Sequence, residues 1–231
     1  TLSESRKRIR INKSPKIFTE KNSELIKKNL PFLLTDDQDK VLKEINLDLL
    51  SDKRMFRIIQ GDVGSGKTIV SVLSILNVIK SGYQCALMSP TEILAKQHYT
   101  LIKKIFKKEN FEIEFLSGKT EYQSRKVILT NLINGKIKLL IGTHALFQKK
   151  VNFQKLGLVV VDEQHKFGVK QRSDLAKKGG NECDVLLMSA TPIPRTMMMS
   201  LYGDMDISKI TQKPAKRKKI ITLSKPEKKS A

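Results

Sequence analysis

Residues 61 to 68 read Gly61-Asp62-Val63-Gly64-Ser65-Gly66-Lys67-Thr68, and they follow the strand-like run Arg57-Ile58-Ile59-Gln60. This is the pattern G-x-x-x-x-G-K-T of a phosphate-binding loop, with a strand before it and an apolar helical pattern after it. Glycines let the backbone fold tightly enough for successive N–H groups to point at phosphate oxygens. In such a loop Lys67 reaches the β- and γ-phosphates, and the Thr68 hydroxyl binds Mg²⁺. The stretch therefore predicts a strand–loop–helix unit that binds a nucleoside triphosphate.

Two acidic side chains, Asp162 and Glu163, directly follow the apolar run 158–161. Adjacent carboxylates at the end of a buried strand are unusual for packing alone. Asp162 can hold Mg²⁺ opposite Thr68, and Glu163 can orient or deprotonate an attacking water. With Lys67, these two residues are the candidates for catalysis of triphosphate hydrolysis.

Apolar strand patterns alternate with helical patterns along most of the chain. Strands are predicted at 57–60, 84–89, 111–116, 137–142, 156–161 and 184–189, with a short one at 206–211. Helices are predicted at 67–80, 91–108, 120–134, 144–149, 169–178 and 193–202, after a first helix that begins at Thr35 and weak helical character near 23–29. This alternation indicates an α/β fold with a parallel sheet covered by helices on both faces. Ligands of such sheets bind at the carboxyl ends of the strands.

Small polar residues follow other strands at this predicted edge. Ser189 and Thr191 lie after one strand, and the alternative that they are ordinary turn or helix-cap residues stays open. His98 and His144 are more typical of structural histidines, whereas His165, beside the carboxylates, is a functional candidate.

The ends of the chain carry much of its charge. The net charge is +21, of which residues 1–30 contribute +6, residues 213–231 contribute +7 and residues 31–212 contribute +8. This pattern favours a polyanionic partner such as DNA or RNA. The alternative is a solvated lysine-rich surface, because charge runs are common without such a partner.

The remaining composition excludes several classes of protein. No run approaches 18 apolar residues, so a transmembrane helix is not expected. Cys85 and Cys183 lack the spacing of metal ligands and are expected to be buried thiols in a reducing compartment. The first residues, 1–5, contain neither Met nor the apolar core of a signal peptide, which suggests a processed chain or an excerpt.

The assembled motifs resemble those of superfamily 2 helicases and, within them, the RecG branch-migration helicases. The resemblance covers about residues 25–223. The motifs that carry it are the glutamine element at 33–38, motif I at 61–68, motif Ia at 90–98, motif Ib at 142–146, motif II with Asp162-Glu163-Gln164-His165, and motif III with Met188-Ser189-Ala190-Thr191-Pro192-Ile193-Pro194-Arg195-Thr196. The resemblance implies a RecA-like fold, ATP and Mg²⁺ as cofactors, and a bacterial-type cytoplasmic location.

The resemblance also implies roles for individual residues. Gln38 would read adenine, and the nucleotide would contact residues 61–68. Hydrolysis would be coupled to DNA movement by Gln164, His165, Ser189 and Thr191. The DNA track would include Thr91, Thr143, His144 and Arg195.

The implied activity is that of an ATP-driven translocase on double-stranded or branched DNA that remodels stalled forks and Holliday junctions. The expected organisation is a basic, partly helical extension at 1–30, a RecA-like domain at 31–212, and a linker at 213–231 that begins a second motor domain. Such helicases also carry a wedge domain and a second RecA-like domain, and we expect this chain to lack both. Because an arginine finger contributes ~10³–10⁵ in rate, we expect the chain alone to hydrolyse ATP slowly.

Two alternatives stay open. The chain could be a nucleotide-gated DNA-binding module without catalysis. It could also be a translocase domain of the transcription-repair coupling type, which shares motifs II and III.

Overall fold

A parallel β-sheet forms the centre of the computed structural model, which describes residues 11–163, 178–191 and 205–212. In these ranges the strands are β1 (Phe56–Gly61), β2 (Gln84–Met88), β3 (Glu112–Leu116), β4 (Ile137–Gly142), β5 (Leu156–Val161), β6 (Asp184–Ser189) and β7 (Asp206–Ile210). The α-helices are α1 (Glu20–Asn29), α2 (Asp36–Leu50), α3 (Lys67–Lys80), α4 (Glu92–Ile105) and α5 (Tyr122–Ile133). The strand order is β3-β4-β2-β5-β6-β1-β7, and every pairing is parallel.

Helices cover both faces of this sheet, as the sequence predicted. Successive strand residues point to opposite faces, so Val160 of β5 packs in one core and Val159 in the other. The first core includes Leu73 of α3, and the second includes Leu132 of α5. The fully buried strands explain the continuous apolar runs in the sequence.

The predicted element positions agree with the structure to within a few residues at each end. The segment 144–149 is a shorter 3-10 helix, His144–Phe147, and a second 3-10 turn occurs at Gly180–Glu182. Three predicted features lie outside the described residues, except for residue 178. They are the helices at 169–178 and 193–202 and the apolar run 219–223.

Helix α2 begins with the capping pattern that its sequence predicts. The Thr35 hydroxyl accepts a hydrogen bond from the backbone N–H of Gln38, and the Gln38 side chain accepts one from the backbone N–H of Thr35. This reciprocal pair satisfies two N–H groups that the first turn would otherwise leave unpaired.

The strand β7 is tied to the sheet and to α2 by Arg57. Its guanidinium donates to Asp48 at 2.7 Å, to Glu44 at 3.2 Å and to the Ser208 hydroxyl at 2.8 Å. Since Arg57 lies on β1, this network joins α2, β1 and β7 into one unit.

Two lysines of the basic N-terminal segment are buried. Lys16 Nζ lies 2.6 Å from Asp184 Oδ2, and Lys13 Nζ lies 3.4 Å from the same oxygen. Burial raises the pKa of Asp184, an effect that the charges of Lys16 and Lys13 oppose. These two lysines therefore neutralise an internal carboxylate and are not available to a polyanion.

Cys85 and Cys183 are both buried free thiols, as predicted. None of the helices in the described ranges has the length and apolar character that crossing a bilayer requires.

Candidate functional site

The candidate site lies where neighbouring strands end at one edge of the sheet. Across this edge the strands run in the order β4, β2, β5, β6, β1. Gln60 of β1 pairs with Ser189 of β6, and Val161 of β5 pairs with Leu187 of β6. Because adjacent strands are about 4.8 Å apart, the ends of β1 and β5 lie about 10 Å from each other. The phosphate-binding loop and the acidic pair therefore share one region of the edge.

The phosphate-binding loop depends on glycine at two of its positions. Gly64 and Gly66 have φ angles of 79° and 88°, in the left-handed region that other residues rarely adopt. A Cβ atom on Gly66 would also overlap the Gln38 side-chain nitrogen. Gly66 immediately precedes α3, so the loop feeds directly into the N-terminus of a buried helix.

Two features of the loop fit a phosphate-bearing ligand. The Ser65 hydroxyl is buried and has no hydrogen-bond partner among the described residues. A buried hydroxyl without a partner costs free energy, and a phosphate oxygen would supply an acceptor. The loop also precedes a helix N-terminus, where backbone N–H groups favour anions.

Lys67 faces both halves of the predicted site. Its Nζ donates to the carbonyl oxygens of Gly61 at 2.6 Å and Asp62 at 3.0 Å. Burial lowers the pKa of Lys67, and the negative charges of Glu163, Asp162 and Asp62 oppose this shift. The ammonium group is thus held by the loop carbonyls and feels the charge of the acidic pair, and a triphosphate could replace the carbonyl contacts.

The acidic pair has a constrained geometry. Asp162 Oδ1 accepts a hydrogen bond of 3.0 Å from the backbone N–H of Glu163, and Glu163 has a φ angle of 48°. A positive φ is uncommon for a residue other than glycine, and such strain often accompanies functional sites. Asp162 Oδ2 lies 2.8 Å from His98 Nε2 on α4.

Gln38 contacts the phosphate-binding loop. Its Nε2 atom donates to the Ser65 carbonyl oxygen at 2.7 Å, and its Oε1 atom accepts from Thr35. The side chain is 2% exposed, so its contacts in this structure are with the protein. Adenine recognition by Gln38 stays a prediction.

Comparison with known proteins identifies the family. The model described as DEAD/DEAH box helicase matches residues 35–200, more than half of the chain. The chain belongs to the DEAD/DEAH box helicase family.

Within this family the chain is similar to RecG proteins. It is 49% identical over 197 residues to ATP-dependent DNA helicase RecG of Streptococcus pneumoniae, covering 85% of this chain and 29% of that protein. The RecG of Thermotoga maritima is 48% identical over 212 residues, covering 92% of this chain and 27% of that protein. The chain thus spans less than a third of the length of these relatives.

Solved structures agree with this result. A structure of RecG bound to a three-way DNA junction matches with a TM-score of 0.80 and 43% identity, over 90% of this chain and 28% of that chain. The DEAD-box helicase Mss116 bound to single-stranded RNA matches with a TM-score of 0.63 at 20% identity, over 85% of this chain and 43% of that chain. The second likeness concerns the fold alone.

The residues that the resemblance predicts to couple hydrolysis to DNA movement are only partly described. The Ser189 and Thr191 hydroxyl oxygens lie 3.1 Å apart, and the backbone N–H of Thr191 donates to Ser189 Oγ at 3.2 Å. They form a local turn between the loop and the acidic pair, which is also the geometry of ordinary turn residues. Gln164 and His165 lie outside the described residues.

The residues predicted along the helicase DNA track differ in exposure. Thr91 is exposed and caps α4, because its hydroxyl accepts from the backbone N–H of Leu94 at 3.3 Å. Thr143 is only 4% exposed, whereas His144 beside it is exposed. Of these two predicted residues, His144 is the one whose side chain is accessible to a ligand. Arg195 lies outside the described residues.

Sequence reasoning missed His98. The sequence favoured a structural role for it, yet its ring contacts the carboxylate of motif II. The sequence signal for a role at the site was the position of His98 at the end of motif Ia. Because Asp162 lies 64 positions further along the chain, no local pattern predicted the contact between them.

Proposed function

We propose that this chain is the ATP-binding motor domain of a RecG-type DNA helicase that acts on branched DNA. The observation that carries the proposal is the phosphate-binding loop, with its buried Ser65 hydroxyl that has no partner among the described residues, at the same sheet edge as Asp162 and Glu163. The 43% identity to a RecG bound to a three-way DNA junction supports the substrate class.

The proposed roles follow from the geometry of the edge. The backbone of residues 61–68 would bind the phosphates, and Lys67 would neutralise their charge. Thr68 and Asp162 would hold Mg²⁺, which stabilises negative charge on the phosphates when bound. Glu163 would orient the attacking water and accept its proton.

The proposed organisation places this motor domain at 31–212, preceded by the basic extension 1–30 and followed by the linker 213–231. Complete activity would require a second RecA-like domain and a wedge domain, as the resemblance to RecG helicases implies. A motor domain assayed without that second domain should have low ATPase activity, because an arginine finger supplied by a partner domain contributes ~10³–10⁵ in rate.

Nucleotide binding and turnover test the proposal. The chain should bind ATP and Mg²⁺, Lys67→Ala should abolish ATP binding or weaken it greatly, and Glu163→Gln should retain binding but lose residual turnover. Unchanged turnover in Glu163→Gln would contradict the proposed base. A chain that fails to bind ATP would contradict the proposed function as a whole.

DNA binding is tested separately. The chain should bind both a linear duplex and a three-way junction, and affinity should fall steeply with salt if lysine–phosphate contacts dominate. Binding to neither DNA would contradict the proposed DNA substrate.

A further inference from the structure

We infer that His98 is a positioning residue for the metal-binding carboxylate of Asp162. This inference rests on the proposed function, because it assigns Asp162 to Mg²⁺. His98 Nε2 lies 2.8 Å from Asp162 Oδ2, and the two side chains are 11% and 13% exposed. A carboxylate only accepts hydrogen bonds, so the imidazole N–H is the donor.

Both oxygens of the Asp162 carboxylate are held by the protein. Oδ1 accepts from the backbone N–H of Glu163 at 3.0 Å, and Oδ2 accepts from His98. A carboxylate offers about four lone-pair sites, so about two remain for Mg²⁺ or its water ligands. The pair of hydrogen bonds fixes the orientation of the carboxylate and therefore the directions of those remaining sites.

The position of His98 on α4 distinguishes this role from ordinary packing. Ala95 and Ile102 lie on the same buried face of the helix and are both 0% exposed. His98 is the polar residue between them, and an imidazole at such a position costs free energy unless it is hydrogen-bonded. Its partner is the metal-binding carboxylate, whereas an apolar residue would have served for packing.

A hydrogen bond of this kind is expected to change metal affinity more than nucleotide affinity. Groups that orient a metal-binding side chain commonly contribute 10- to 100-fold to metal affinity when they are removed by mutation. His98 does not belong to the phosphate-binding loop, so nucleotide binding without metal should be nearly independent of it.

The experiment measures the ADP affinity of the full chain with Mg²⁺ and with EDTA. It also measures the Mg²⁺ concentration at which half of the Mg²⁺-dependent gain in ADP affinity is reached. His98→Ala should raise that Mg²⁺ concentration by about tenfold or more, while the ADP affinity in EDTA changes less than about twofold. His98→Gln should restore part of the loss, because its amide N–H can donate to the same oxygen.

Ile102→Val is the matched control, because it loosens the packing of α4 without touching Asp162. It should leave the Mg²⁺ dependence unchanged. Thermal unfolding of all variants identifies any that fail to fold. If His98→Ala does not fold, the Mg²⁺ dependence of His98→Gln still tests the inference.

Several outcomes would overturn the inference. These are an unchanged Mg²⁺ dependence in His98→Ala, an equal loss of ADP affinity with and without Mg²⁺, no rescue in His98→Gln, or the same loss in Ile102→Val. Each of them leaves the proposed nucleotide site intact. If the unmodified chain does not bind ADP, both the inference and the proposed function fail.

Discussion

The side-chain amide of Gln38 donates a 2.7 Å hydrogen bond to the carbonyl oxygen of Ser65. The same amide closes the capping box of α2 through Thr35. The first turn of α2 is therefore connected to the middle of the phosphate-binding loop. A second contact from this turn, between Asp37 and Thr211, reaches the residue after β7. The start of α2 thus joins the nucleotide loop to the end of the described sheet.

Gln38→Glu separates the capping role of Gln38 from its hydrogen bond to the Ser65 carbonyl oxygen. A glutamate can still accept from the backbone N–H of Thr35, but it has no donor for the Ser65 carbonyl oxygen. A buried acceptor without a donor costs about 1–3 kcal/mol, so ADP and GDP affinities should both fall by about tenfold. Isothermal titration with the two nucleotides measures this change.

Gln38→Ala is the companion variant, since it also removes the acceptor for the backbone N–H of Thr35 and should lower the thermal stability further. A loss of ADP affinity alone, with GDP affinity unchanged, would show that Gln38 reads adenine without supporting the loop.

The pKa of Asp37 should depend on the contact between the start of α2 and Thr211, the residue after β7. The Thr211 hydroxyl and the backbone N–H groups of Gln212 and Thr211 lower the pKa of Asp37 from its ordinary value of 3.8. The carboxylate therefore stabilises the folded state above that value, and this contribution is lost as the pH falls through the lowered pKa. Thr211→Val removes the hydroxyl, so the pKa of Asp37 should rise toward 3.8.

Thr211→Ser is the control for this measurement, because it keeps the hydroxyl and should leave the pKa of Asp37 low. A carbon-detected NMR titration of the Asp37 carboxyl resolves the difference. Identical titration curves in the unmodified chain and Thr211→Val would contradict the contact.

Lys16→Met should destabilise the chain strongly at neutral pH. Lys16 and Asp184 have side chains that are 0% exposed, so the substitution leaves a buried carboxylate whose one remaining cationic partner among the described residues is the more distant Lys13, beside the backbone N–H of Met55. Breaking a buried ion pair costs about 3–5 kcal/mol in the free energy of unfolding. Because burial already raises the pKa of Asp184, the deficit should shrink at low pH, where this group is protonated in the folded state.

Urea unfolding tests this loss, and the double variant Lys16→Met with Asp184→Asn should recover much of it. Lys53→Met is the control, because the ion pair of Lys53 with Asp52 is largely exposed and should contribute less than about 1 kcal/mol. Equal effects of the two single substitutions would contradict the buried pair.

The sequence predicted the strands well because parallel strands buried on both faces leave continuous apolar runs. It also predicted the phosphate-binding loop and the capping residue Thr35, since both depend on neighbours within a few positions. The partners of Lys16 and His98 could not be predicted in this way. Lys16 and Asp184 are 168 positions apart, and no local pattern marks a lysine that will be buried by tertiary packing.

In the proposed site, Thr68 and Asp162 hold the same metal ion between the phosphate-binding loop and the acidic pair. A double-mutant cycle on the Mg²⁺-dependent gain in ADP affinity tests it most directly. Thr68→Ala and Asp162→Asn should each remove most of the gain, and the double variant should remove no more than either alone. Additive losses, or a full gain in Asp162→Asn, would contradict the account.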